Sequence, residues 1–178
     1  MNNSVKFAAI TLAIGSVFAA SSSQAALVNY VETANAPSNC QAFTPGPSNT
    51  IRNRVVGSEN IGSPIAVACA FQKPFSLTST APTRVELYFS NNNTSGSITV
   101  NCTMLTGWQG ATGAVAINKS ATVPFGSQAT QLVFFTAADT PSTTDTDLGF
   151  DQVGINCTLP TGGVINDSYV QYQDENGV

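Results

Sequence analysis

The stretch ITVNCTMLTG (residues 98–107) returns fifty-five positions later as VGINCTLPTG (residues 153–162), with Asn-Cys-Thr and the closing Thr-Gly retained. Apolar side chains alternate along both copies, which is the two-residue period of a strand with one buried face. The residues that share the apolar face are Ile98, Val100, Cys102 and Met104 in the first copy, and Val153, Ile155, Cys157 and Leu159 in the second. Both cysteines are therefore predicted to face the core, either on neighbouring strands or on opposite sheets.

Four cysteines occur in the chain, Cys40, Cys69, Cys102 and Cys157, and there is no histidine. In an exported protein an even cysteine count predicts disulfides, here two with three possible connectivities. Zinc is disfavoured because no two cysteines are close in sequence and histidine ligands are missing. We favour Cys40–Cys69 with Cys102–Cys157, on the interpretation that the repeated motif occupies equivalent positions in two halves of a sandwich.

The N-terminal residues 1–25 have the pattern of a cleavable signal peptide: Lys6, an apolar run over residues 7–20, then small residues ending in Ser-Gln-Ala. We expect cleavage after Ala25 or Ala26, since the apolar run is too short to span a bilayer comfortably. Residues 26–178 are then expected to form a single domain that is secreted, periplasmic or held at the cell surface. No membrane insertion is predicted.

The chain has few charged residues, and more of them are acidic than basic. Once Lys6 leaves with the signal peptide, five basic residues remain against ten carboxylates, a formal net charge of about −5. Nucleic-acid binding is disfavoured because phosphates require clustered lysine and arginine. An anionic membrane surface is disfavoured for the same reason.

Short apolar segments separated by turn residues continue through the chain, with no convincing helix. IAVACAF (residues 65–71) is predicted to be a strand buried on both faces, and IRNRVVG (residues 51–57) is the only strand-like piece between residues 40 and 62. TRVELYF (residues 83–89) places Val85, Leu87 and Phe89 on one face, and SNNNTSG (residues 90–96) is predicted to connect it to residues 98–107 as a β-hairpin. The fold class is therefore all-β, a two-sheet antiparallel β-sandwich of about eight strands with two disulfides. Jelly-roll and immunoglobulin-like strand orders both remain open.

Four segments together carry a resemblance: the Asn-Cys at residues 39–40, VACAFQKP (67–74), RVELYFSNNN with SITVNCTM (84–104), and VGINCTLPTGGVINDSYVQYQDE (153–175). In this order they resemble a group of small secreted bacterial proteins with four spaced cysteines. The resemblance implies a bacterial source and a β-sandwich. It carries over no catalytic or binding residue.

Enzymatic activity is not predicted. Without histidine, Ser-His-Asp and Cys-His arrangements are excluded, and neither a Gly-x-Ser-x-Gly elbow nor a glycine-rich phosphate loop occurs. Paired carboxylates, as in glycoside hydrolysis, remain possible. Most acidic residues, however, lie in turns or near the chain end, where a solvated surface is the simpler interpretation.

One acidic stretch, DTPSTTDTDLGFDQ, offers the only cofactor candidate, a calcium ion held by Asp139, Asp145, Asp147 and Asp151. Asp-x-Asp-x-Gly at residues 145–149 resembles the start of a calcium loop. The twelve-residue pattern then fails, because position five is Gly149 and no glutamate closes it. We favour an ordinary polar loop.

Aromatic residues offer a second candidate site. Trp108 is the only tryptophan and follows the first motif copy, where it is expected on a loop, either exposed to stack on a sugar ring or folded back to cap the core. Tyr88, Tyr169 and Tyr172 are predicted to form part of the same ligand-binding face.

Together these features predict a non-catalytic exported binding or surface-interaction module, with a glycan or another surface protein as partner. The alternative is a structural subunit of a surface filament or matrix. The closing DENGV lacks the alternating apolar strand of chaperone-assembled pilins, which argues against the usual form of that alternative.

Overall fold

The computed structural model describes residues 28–43, 50–72, 82–106, 115–128, 131–140, 148 and 152–174. Within them the chain forms eleven β-strands, one helical turn, α1 (Ala36–Asn39), and one 3-10 turn (Ala137–Asp139). The strands are β1 (Val28–Asn35), β2 (Cys40–Ala42), β3 (Ile51–Arg54), β4 (Gly57–Asn60), β5 (Ile65–Gln72), β6 (Pro82–Asn91), β7 (Ser97–Thr106), β8 (Val115–Pro124), β9 (Gln131–Thr136), β10 (Gln152–Leu159) and β11 (Gly163–Asp174). The described part of the chain holds no helix with the length and apolar character needed to span a membrane.

The strands form two antiparallel sheets, as the alternation predicts. The six-stranded sheet has the order β3-β4-β11-β6-β9, with β1 also paired to β11, and the five-stranded sheet has the order β2-β5-β10-β7-β8. From β4 to β11, every connection crosses between the sheets except the one from β7 to β8. The orders β4-β11-β6-β9 and β5-β10-β7-β8 are those of an eight-stranded jelly roll. The strand order therefore selects the jelly roll over the immunoglobulin-like fold, and β1 to β3 extend its edges.

The core lies between the inner faces of the two sheets. On β6 the predicted apolar face is confirmed, since Val85, Leu87 and Phe89 are each 0% exposed. Both copies of the repeated motif also behave as predicted. Cys102 and Cys157 are 1% and 0% exposed, and their apolar neighbours in the alternation face the same core. Each large apolar side chain buried in this way stabilises the fold by about 1.5–3 kcal/mol.

The predicted hairpin between β6 and β7 is wrong. The two strands lie in different sheets, and residues 92–96 carry the chain across the end of the sandwich. Asn91, 2% exposed, holds this crossing: its Nδ2 donates to the carbonyl oxygens of Gly96 at 3.3 Å and Val123 at 3.1 Å. The Asn93 amide donates to Asn91 Oδ1 at 3.0 Å. Turn composition alone does not distinguish such a crossing from a hairpin, because both need the same residue types.

Strand β5 is buried on one face only, which corrects the prediction of two buried faces. Val67, Cys69 and Phe71 point into the core, whereas Ala66 and Ala68 are half-buried and Ala70 is exposed on the other face. Alanine exposes little apolar surface, so a run that is apolar throughout can still have a solvent-facing side.

Strand β4 was not predicted, because its sequence Gly-Ser-Glu-Asn is polar although all four residues are buried. Its polar groups are paired within the fold. Asn60 Nδ2 donates to the carbonyl oxygens of Leu159 at 2.8 Å and Ser63 at 2.9 Å. Gly57 has a φ of 142°, and a Cβ there would lie 2.2 Å from the Ile165 carbonyl oxygen. Only glycine fits this approach.

Two disulfides, Cys40–Cys69 and Cys102–Cys157, have the favoured pairing. Both join directly opposite residues on neighbouring strands of the five-stranded sheet, the first between β2 and β5 and the second between β7 and β10. The interpretation that the motif copies occupy two halves of the sandwich is therefore wrong. They are adjacent strands of one sheet, which explains why their inward positions coincide.

Replacing both Cys102 and Cys157 with alanine should lower the free energy of unfolding by about 4 kcal/mol, because the unfolded chain regains the freedom of a loop that spans 55 residues. The matched Cys40→Ala, Cys69→Ala variant opens a span of 29 residues and should lose less, about 3.6 kcal/mol. Urea unfolding of both variants measures the difference. A larger loss from the shorter span would contradict loop closure as the cause.

Candidate ligand-binding cleft

The outer face of the six-stranded sheet carries the aromatic residues of interest. Strand register places Thr33 of β1 opposite Tyr169 of β11, Tyr169 opposite Glu86 of β6, and Glu86 opposite Phe134 of β9. Directly opposite residues share a face, so the four side chains form one row across the sheet. Tyr88 follows Glu86 on the same face of β6.

A cleft of about 650 Å³ lies beside this row, between β1, β6 and β11. It is lined by Thr33, Ala34, Asn35, Tyr88, Asp167, Ser168 and Tyr169. A β-bulge forms it in part: Ile165 is opposite Phe89 and Ser168 is opposite Leu87, so β11 spans three residues where β6 spans two. Bulges redirect side chains and bend the strand. Here the extra residue leaves Asp167 exposed at the cleft.

Tyr88 is fixed by a buried carboxylate. Its hydroxyl donates to Glu86, which is 5% exposed and also ion-paired with Arg84 Nε. The hydrogen bond to Glu86, together with burial, raises the pKa of Tyr88 to about 12. Tyr88 therefore keeps its proton at physiological pH, and its hydroxyl is committed to Glu86. What it offers a ligand is its ring.

The other polar side chains that line the cleft are of two kinds: some are committed to hydrogen bonds within the protein, and others are available to a ligand. Ser168 is committed, because its Oγ donates to the Ala34 carbonyl oxygen at 3.2 Å and accepts from Asn39 Nδ2 at 3.4 Å. Within the described residues the side chains of Thr33, Asn35 and Asp167 make no hydrogen bond. Asn35 stands at the N-cap of α1 without capping it. These three side chains can therefore bind a ligand without breaking an internal bond.

Of the three tyrosines predicted to share a face, Tyr88 and Tyr169 line the cleft and Tyr172 does not. Tyr172 is 1% exposed and packs in the core, where burial, with Glu32 nearby, raises its pKa to about 12. Residues 169 and 172 are an odd number of positions apart on one strand, so their side chains point to opposite faces. The prediction for Tyr172 is wrong for this reason.

Trp108, Asp145, Asp147 and Asp151 lie outside the described residues. Asp139, the remaining calcium candidate, has protein partners. Its carboxylate accepts from the Thr136 amide at 2.8 Å, which caps the 3-10 turn, and its Oδ1 is 2.7 Å from Lys119 Nζ. Across the described parts of the chain, no group of three or more acidic, cysteine or histidine residues is placed to hold a metal ion.

Lys119 reaches Asp139 from β8, so the ion pair links the edges of the two sheets. The Lys119 Nζ also lies 4.6 Å from the centre of the Phe134 ring, within the range of a cation–π contact. Burial by itself would raise the pKa of Asp139, but the hydrogen bonds from Lys119 and from the Thr136 backbone outweigh it and hold that pKa below its usual value.

Thr33, Asn35 and Asp167 were not predicted as site residues. Thr33 and Asn35 lie near the start of the chain, and the pairing of β1 with β11 brings them to residues 167–169. Sequence proximity gives no sign of that pairing. The signal that could have located the cleft is Asn166-Asp167, two polar residues that interrupt the alternation of an otherwise regular strand.

No protein-family profile matches the sequence. No curated protein matches it either. One similar solved structure, described as "CBM4 structure and function", is 10% identical, covers 81% of this chain and 85% of its own, and has a TM-score of 0.30. A similarity at this TM-score carries no argument about function. The class that the structure defines is the disulfide-bonded jelly-roll β-sandwich.

Asp139→Asn should lower the free energy of unfolding at neutral pH by up to about 1 kcal/mol, because Lys119 loses a partly exposed charged partner. The folded-state pKa lies below the usual 3.8, so this contribution is complete above 3.8 and disappears as the pH falls through the lowered value. Urea unfolding across the acid range measures the difference from the unmodified chain, which should shrink with falling pH. Asp167→Asn, which removes an exposed carboxylate that has no ion pair among the described residues, serves as control and should leave the free energy of unfolding at neutral pH nearly unchanged.

Proposed function

We propose that this chain is a non-catalytic, exported carbohydrate-binding module whose ligand occupies the cleft between β1, β6 and β11. The observation that carries the proposal is the presence of Tyr88 and Tyr169 in one cleft with hydrogen-bonding side chains that have no partner among the described residues. Sugar recognition requires this combination: an aromatic ring for the apolar face of the pyranose, and nearby polar groups for its hydroxyls.

The available polar groups suit hydroxyls because they both donate and accept. The Thr33 hydroxyl and the Asn35 amide each do both, while the Asp167 carboxylate accepts. The cleft volume of about 650 Å³ falls within the range of small-molecule sites. Asp167 adds negative charge to a chain that is already acidic, so a neutral or amino sugar is favoured over a uronic acid or sulfated sugar.

Binding without catalysis agrees with the carboxylates around the cleft. Glycoside hydrolysis uses two carboxyl groups on either side of the bond to be cleaved. In the described lining Asp167 is the one carboxylate, and Glu86 behind Tyr88 is already ion-paired with Arg84 and hydrogen-bonded by Tyr88. The glycan is proposed as ligand, not as substrate.

Export is supported by the signal-peptide pattern at residues 1–25 and by the disulfides, since such bonds persist in oxidising compartments. A bacterial source rests on the sequence resemblance alone. Together they support a location outside the cytoplasm, where surface and matrix glycans would be the available ligands.

A glycan array that contains neutral, amino and acidic oligosaccharides tests the proposal. The chain without residues 1–25 should retain neutral or amino sugars, and Tyr169→Ala should weaken that binding about 10-fold, the equivalent of about 1.4 kcal/mol from one lost aromatic contact. Tyr169→Phe keeps the ring and should bind nearly as well.

Phe125→Ala is the matched control, because Phe125 is a 56% exposed aromatic that follows β8 in the other sheet and does not line the cleft. It should leave binding unchanged. Retention of no glycan by the unmodified chain, or equal binding by Tyr169→Ala, would overturn the proposal.

A further inference from the structure

The edge of β1 is a long strand edge with little protection. Eight consecutive residues of β1 pair with β11 without a register shift, and in the described structure the other side of β1 pairs with no strand. Its side chains are mostly exposed: Tyr30 is 41% and Val31 is 52% exposed. Strands of this kind readily pair with another chain.

Of the other four edge strands, β2, β3 and β8 carry features that discourage such pairing, and β9 is shorter than β1, with six residues. On β8, Lys119 points inward to Asp139, and an inward charge on an edge strand is a known protection. On β3, Arg52 and Arg54 occupy two of four positions, and β2 has only three residues. In β1 the single charged residue is Glu32, and there is no proline and no lysine.

The direction of the backbone groups shows which residues of β1 face outward along the sheet. The Ala34 carbonyl oxygen accepts from Ser168 Oγ of β11 and therefore points towards β11. The N–H and C=O of one strand residue point to the same side, and this side alternates along the strand. Asn29, Val31 and Thr33 therefore direct their backbone donors and acceptors to the free edge.

The free edge of β1 is complementary to the same edge of a second copy. An antiparallel pair of identical strands about a two-fold axis through Val31 places Val31 opposite Val31, Asn29 opposite Thr33, and Tyr30 opposite Glu32 of the second copy. The first two kinds of pair use the outward backbone groups, and the third brings a phenol to a carboxylate. Moving the axis to Glu32 would place two carboxylates opposite each other, which is unfavourable.

We propose that β1 is the interface of a homodimer, in which the β1 strands of two copies pair antiparallel about Val31 and join two six-stranded sheets into one continuous sheet. The two copies use the same surface, so the assembly closes at two and does not extend into a filament. The axis is perpendicular to the sheet, so both outer faces point the same way.

The dimer would also set the valency of the proposed glycan site. Thr33 of β1 lines the cleft and is opposite Asn29 of the second copy, so two clefts lie side by side on one face. This consequence rests on the proposed function, whereas the pairing of β1 does not.

Sedimentation equilibrium of the chain without residues 1–25, over a wide concentration range, tests the interface. A monomer–dimer equilibrium is expected. Val31→Lys places two ammonium groups opposite each other at the axis and should weaken dimerisation at least 10-fold while leaving the thermal midpoint of the monomer unchanged, since Val31 is exposed. Val55→Lys, the same change at a 93% exposed valine between β3 and β4, is the matched control and should dimerise normally.

A chain that stays monomeric at all concentrations, a dimer that Val31→Lys leaves intact, or an open polymer would each overturn the inference. The two proposals fail separately. Val31→Lys should keep the affinity of a single cleft for a soluble oligosaccharide identified on the array, and should lose only the added retention on a dense glycan surface. Loss of binding to the soluble sugar in Tyr169→Ala, with the dimer intact, reports on the cleft alone.

Discussion

The covalent bond between Cys102 and Cys157 is the constraint on which the rest of the sandwich depends. It joins β7 to β10, two interior strands of the five-stranded sheet that are 55 residues apart in sequence, and pairing over such a span carries a loop-closure cost. Strand β10 pairs on its other side with β5, which Cys69 ties to Cys40 on β2. Four of the five strands of that sheet, β2, β5, β7 and β10, thus carry a disulfide cysteine, and β8 pairs with β7. Once this sheet is held together, its apolar inner face is the surface against which the inner face of the six-stranded sheet packs.

The strict alternation that builds the core also determines where the candidate site can lie. Along β6 and β11 every second side chain belongs to the core, and only the outer set is available to a ligand. The cleft occurs where that alternation is interrupted, at the bulge that contains Asn166 and Asp167. Departures from local regularity cost stability and tend to mark functional positions. Here the departure also exposes a carboxylate beside two tyrosines, a combination with no evident structural benefit.

The parts of this fold that sequence could predict are those determined by neighbouring residues. Alternation identified the inner faces of β6, β7 and β10, and the repeated motif gave the correct disulfide partner for Cys102. Strand β4 could not be predicted in this way, because one of the partners that satisfy buried Asn60 is the Leu159 carbonyl oxygen, 99 residues away. Likewise, Tyr88 and Tyr169 followed from the aromatic residues of the sequence, whereas Thr33 and Asn35 join them only through the pairing of β1 with β11. Where a partner is distant in sequence, local pattern carries no information about it.

A shallow cleft with three available polar side chains and two rings supports only modest affinity, since few contacts offset the cost of ordering a flexible sugar. Proteins that bind repetitive surfaces compensate for a weak single site by binding through several sites at once, because the second contact forms at a high effective concentration. The position of Thr33 is relevant in this respect, since one strand contributes both to the cleft and to the unprotected sheet edge. Pairing about Val31 would hold two clefts at a fixed spacing with no linker to order. The same exposed strand that leaves the monomer open to association would then supply the geometry that a weak surface-binding site needs.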